Sequence, residues 1–138
     1  MSISFNQSVV RTAANVATVL FVIAIILQLL LAAGILPISM AWGGRQPFLT
    51  TSLRIASLAS AAILGFFIYV IRRRSGLVGG VPIPTVIKIL SWITTAFLAL
   101  NTLSNLASTS VGEKVLFAPI TLLLVVACFV VSISKSEA

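Results

Sequence analysis

Residues Ala13 to Leu36 read AANVATVLFVIAIILQLLLAAGIL, a run without charge whose only polar side chains are Asn15, Thr18 and Gln28. As a helix rising 1.5 Å per residue it is about 36 Å long, enough to cross a hydrocarbon core of ~30 Å with tilt. Such a run is too long for the apolar core of a cleavable signal peptide, and its N-terminal flank carries a single charge, Arg11. It is expected to stay as a span. Apolar runs of similar character recur at about 52–71, 85–108 and 115–133. The composition agrees: 59% of the 138 residues are hydrophobic and 8% are charged, against roughly 25% charged in a soluble domain. The predicted fold is therefore all-α: an antiparallel four-helix bundle integral to the membrane, with residues 1–138 forming a single transmembrane domain.

Each junction between runs has its own signal. Pro37 is expected to end the first span, and Trp42-Gly43-Gly44-Arg45-Gln46-Pro47 reads as a turn needing positive φ or close backbone approach. Its indole and guanidinium suit the head-group boundary. Ser57, Ala61 and Gly65, at four-residue spacing, form a stripe that would let another helix come near. Arg72-Arg73-Arg74 is read as the stop of the second span, and Ser75 to Pro84 as a flexible turn. Trp92 lies nine residues before Asn101, on the opposite side of the third span.

Basic residues orient the bundle. The N-terminus, the 72–88 connector and the tail carry Arg11, the three arginines with Lys88, and Lys135, against Arg45, Arg54 and Lys114 on the other side. The positive-inside rule then predicts cytoplasmic termini in a multi-pass protein of the cell membrane. The net charge of +7 is expected to serve this orientation and anionic head groups rather than nucleic acid, since no basic patch is interleaved with aromatics. The lipid bilayer is the first partner.

Polarity returns at one place, Asn101-Thr-Leu-Ser-Asn-Leu-Ala-Ser-Thr-Ser-Val-Gly-Glu-Lys114. At helical spacing Asn101, Asn105 and Ser108 share one face, with Ser104 at its edge. An amide at membrane depth has no water to bond and requires a protein partner, a polar cavity or a ligand. The predicted topology puts Gln28, the Trp42–Gln46 turn with Trp42 and Arg45, this polar face and Glu113 at one end, where they could line one cavity. Glu113 has two competing readings: an ion pair with Arg45, or the second half of a capping box begun by Ser110. The Trp42–Gln46 turn is expected to fold over the end of the third span, with Asn101 or Asn105 bonding its free backbone groups. On that expectation Asn101→Leu should cost more stability than Thr95→Val.

Much chemistry is excluded by residue type. With no His, no Asp and one Cys, a Ser-His-Asp triad, a Cys-His pair, a disulfide and a typical zinc site cannot be built. The two glutamates cannot supply a catalytic pair, because Glu137 lies in the tail; no phosphate loop is present, and Cys128 sits inside an apolar run. No enzyme activity, cofactor or metal is expected.

Ala41-Trp42-Gly43-Gly44-Arg45, Leu53-Arg54-Ile55-Ala56-Ser57-Leu58, the segment Leu98 to Ser108 and Glu113-Lys114 with Pro119 together resemble a family of small four-span membrane proteins of bacteria and archaea whose function is uncharacterised. The resemblance covers most of the chain after residue 30. It implies a four-helix membrane fold marked by the Trp-Gly-Gly-Arg turn and the Asn-rich third span, and it brings no activity, ligand or partner. Two functions remain open on the residues themselves. One is a binding or transport module with an outward polar pocket for a small polar molecule, an ion or a lipid head group. The other is an accessory or scaffold subunit, in a homo-oligomer or with a larger membrane partner, whose amides are interhelical glue.

Overall fold

The computed structural model describes residues 4–135; Ser136 to Ala138, including Glu137, lie outside them. Four helices alternate in direction: α1 (Gln7–Ala33), α2 (Thr51–Arg74), α3 (Thr85–Leu106) and α4 (Glu113–Ile133). All four are long and apolar enough to cross a membrane, and the chain is a multi-pass helical bundle.

The caps explain where each helix stops. The Asn6 side chain accepts the Ser8 N–H at 2.9 Å, so α1 begins two turns before the apolar run, and Gln7 to Thr12 is helix rather than a polar lead-in. Its end precedes Pro37. Gly34 adopts φ +80° and its N–H returns to the Leu30 and Leu31 carbonyls, a glycine closure that a β-carbon would strain. Thr50 caps α2 through the Leu53 N–H, and α2 runs on through all three arginines. α3 stops at Leu106, two residues before Ser108. The first turn of α4, Glu113–Phe117, is widened to the π form, just ahead of Pro119, which has no N–H to offer the preceding carbonyls.

α1 packs against α2 and α4, and α3 against α4, while α2 and α3 are in looser contact. The main core joins Ala14, Ala17 and Phe21 of α1, Phe67 and Ile71 of α2, Leu98 of α3, and Leu124, Cys128 and Val131 of α4. It occupies the end nearer the termini. Toward the opposite end a smaller buried apolar cluster joins Leu31, Ala41 and Phe117, and packing gives way to a cavity. Outward, Val19, Ile26, Ile55, Ile93, Leu100 and Val126 are at least half exposed. So continuous an apolar belt would be a liability in water and is a solvent match in lipid. Trp92 rests edge-on against Phe129 at 5.7 Å, away from Asn101. The small-residue stripe does not form a close seam along its length, since nothing lies within 4 Å of a β-carbon added at Gly65.

The three consecutive arginines do three jobs. Arg72 donates to Asn15 Oδ1 at 3.0 Å and Thr18 Oγ1 at 3.3 Å, tying α2 to α1. Arg73 gathers the Val78, Gly80 and Pro82 carbonyls of the following turn. Arg74 is buried and donates to the Ser132 and Ser134 carbonyls at 3.0 and 2.7 Å, satisfying the free end of α4. Arg54, at the other end of α2, does the same for α1 through the Ala32 carbonyl at 3.1 Å.

Candidate functional site

The first loop must turn back sharply after α1, and it does so with three successive left-handed residues: Trp42 at φ 55°, Gly43 at 80° and Gly44 at 72°. Positive φ at a tryptophan is strained. Its indole Nε1 donates to Ser57 Oγ on α2 at 3.3 Å, which holds the ring against the bundle. Two glycines, Gly44 and Gly112, let the loops approach closely. A β-carbon at Gly44 would fall 2.9 Å from the Ser110 backbone nitrogen, and one at Gly112 would fall 3.0 Å from Met40 Cβ. The first loop thus lies on the α3–α4 loop.

Hydrogen bonds fasten that contact. Thr109 Oγ1 donates to the Gly43 carbonyl at 2.6 Å, and the Gly43 N–H donates to Glu113 Oε1 at 3.3 Å. Ser108 Oγ donates to the other carboxylate oxygen of Glu113 and accepts the Ser110 N–H at 3.0 Å. Ser110 Oγ accepts the Glu113 N–H at 3.3 Å. Only half of the capping box forms. Ser110 caps α4 as expected, but its own amide is taken by Ser108, so the Glu113 side chain does not return to it and turns toward the first loop.

Two other expectations are corrected. Arg45 is exposed and makes no ion pair with Glu113, whose oxygens are engaged by Gly43 and Ser108; in an open turn an exposed guanidinium gains little from a distant pair. Neither asparagine bonds the first loop, because Thr109 and Glu113 reach Gly43 first. Asn105 is buried and points its Nδ2 at Thr121 Oγ1 on α4, at 3.5 Å. Asn101 is half-buried with no protein hydrogen bond.

Beneath the loop lies a cavity of about 420 Å³. Gln28, Trp42, Asn101, Asn105 and Glu113 line it, together with Gln46, Ser60, Ser104 and the apolar side chains Leu53, Ile63, Leu64, Phe97 and Phe117. Five of the seven residues singled out by sequence therefore face one space. Ser108 stands behind Glu113 and Arg45 stands outside. Gln46 lines the cavity as the placing of the Trp42–Gln46 turn implied, whereas Ser60, and Ser57 as a partner of the indole, escaped sequence reasoning. A signal existed for Ser57, since an indole N–H away from water seeks an acceptor, but which hydroxyl would answer depends on how α2 is rotated. The Gln28 Oε1 atom is buried and has no partner.

Set against protein-family models, curated proteins and solved structures, the chain finds no match.

The arrangement can bind but has little with which to react. Its walls offer amides, hydroxyls, aromatic faces and one carboxylate, without a nucleophile–base pair. The volume falls within the roughly 300–1,000 Å³ of small-molecule sites.

Proposed function

We propose that this chain is a small binding or transport module of the cell membrane, not an enzyme. Its termini are cytoplasmic, and its outward cavity receives a small polar molecule, an ion or a lipid head group. The observation that carries this reading is Asn101, an amide in a span that faces the 420 Å³ cavity with no protein partner. An amide acting only as glue would be bonded to a neighbouring helix. Orientation rests on the excess of basic residues at the end holding the termini. The likeness to small four-span proteins of bacteria and archaea stands as part of the same proposal, on the Trp42–Arg45 turn and the Asn-rich third span.

The test is thermal unfolding of the purified protein in detergent with a panel of phospholipids, small cations and neutral polar amphiphiles. At least one class is expected to raise Tm for the wild type and not for Asn101→Phe, which fills the cavity. No rise with any class would overturn the reading.

A second reading, an accessory subunit of a homo-oligomer or of a larger membrane partner, draws on the Asn105–Thr121 contact. It treats the polar end as adhesive between helices, worth about 0.6 kcal/mol per bond. It predicts no ligand effect at all.

A further inference from the structure

Glu113 is more than nine-tenths buried and lines the cavity, yet among the described residues no lysine or arginine lines the cavity beside it. Arg45 is exposed outside, Arg54 is directed at the Ala32 carbonyl, and Lys114 is exposed on the far side of the same turn. A buried carboxylate is costly without an opposing charge. Two neutral donors, the Gly43 N–H and the Ser108 hydroxyl, use about half of the roughly four acceptor sites that a carboxylate presents. The nearby Gln28 Oε1 is a second acceptor without a donor. The cavity thus holds a carboxylate and no positive charge. An anion would meet the carboxylate unshielded, and a neutral molecule would leave it uncompensated.

The remaining walls fix the other half of the ligand. Trp42, Phe97 and Phe117 bring aromatic rings to the lining, and aromatic rings attract cations. Phe97 of α3 and Ile63 of α2 both line the cavity, and each is 46% exposed. Since those two helices are in loose contact, the cavity reaches the lipid-facing surface between them. We infer, on the reading that this cavity binds a ligand, that the ligand is an amphipathic organic cation. Its ammonium group lies against Glu113, and its apolar body lies between α2 and α3. Such an ammonium belongs either to a free amine or quaternary ammonium compound or to the head group of an outer-leaflet phospholipid.

The test uses the full chain with Trp92→Phe, which leaves Trp42 as the single tryptophan, in nanodiscs of phosphatidylglycerol. Trp42 fluorescence is titrated with benzyltrimethylammonium and with neopentylbenzene, its uncharged carbon isostere. Saturable binding of the cation is expected, at least ten-fold tighter than the isostere. Glu113→Gln is expected to weaken the cation at least ten-fold. Because Glu113 also holds the loop, Asn101→Lys serves as a second variant: it breaks no hydrogen bond, places a cation in the cavity and is expected to abolish binding. Adding phosphatidylethanolamine to the discs separates the sources. A right-shifted titration assigns the site to a head-group amine, and an unchanged one assigns it to a free organic cation. Equal binding of cation and isostere, or full binding by Asn101→Lys, overturns the inference. If the cation fails while another class in the unfolding panel raises Tm, the cation inference falls and the binding reading stands. If every class fails, both fall.

Discussion

The Gly43 N–H donates to Glu113 Oε1 at 3.3 Å across 70 positions of chain. This bond joins the first loop to the start of α4 and sets the roof of the cavity. It exists because Ser108 occupies the amide that the glutamate of a full capping box would have taken. The consequences can be measured.

Ser108→Ala removes a donor to the carboxylate and the acceptor of the Ser110 N–H together. Both partners are buried, so the loss is expected to be about 1–3 kcal/mol. Thr109→Val should cost less, because Thr109 is exposed and the Gly43 carbonyl can turn to water. Denaturant unfolding in detergent would compare them, and a Thr109→Val effect as large as that of Ser108→Ala would contradict this account.

Gly43 and Gly44 share positive φ but differ in surroundings. Gly43→Ala meets nothing within 4 Å and should lose only the left-handed penalty, about 1–2 kcal/mol. Gly44→Ala adds a clash with the Ser110 backbone, which cannot swing aside as a side chain could. The expected Tm order is wild type, then Gly43→Ala, then Gly44→Ala, and a reversal would show that the two loops are not pressed together.

The relative weights of Asn101 and Thr95 invert the sequence expectation. Thr95 is buried, bonds the Ser91 carbonyl at 2.9 Å and meets Ser132 Oγ at 3.2 Å, whereas Asn101 has no partner to lose. Thr95→Val is expected to cost about 1–3 kcal/mol and Asn101→Leu little. Tm values for the pair decide it; a larger loss for Asn101→Leu would mean that its amide is bonded within the protein.

Arg74 closes α4 from inside the bundle. Arg74→Met leaves the Ser132 and Ser134 carbonyls without their donor, an expected cost of about 1.5–3 kcal/mol. Arg11→Met, at an exposed position, should stay within about 0.5 kcal/mol. Similar losses for both would mean that Arg74 acts through membrane charge alone.

Orientation is checked by labelling exposed positions in a Cys128→Ser background. A membrane-impermeant maleimide is expected to modify Arg45→Cys and not Lys135→Cys in intact cells. The opposite pattern would invert the bundle.

Four spans were legible in the sequence because hydropathy is a local, additive property: an uninterrupted run of apolar residues crosses a bilayer whatever its neighbours do. For the same reason the left-handed turn at Gly43 and Gly44, and the grouping of Gln28, Trp42, Asn101, Asn105 and Glu113 at one end, could be read from spacing and alternating direction. Partner choice could not. Ser110 offered an amide to both Ser108 and Glu113, and Gly43 was within reach of Thr109, Glu113 and two asparagines. Which bonds form is a competition between groups brought from opposite ends of the chain, settled by ångström differences in loop approach that no local pattern records. The cavity is likewise a property of packing, left where α2 and α3 stand apart and the apolar core thins, and only the assembled bundle fixes its volume and the unpaired carboxylate in its wall.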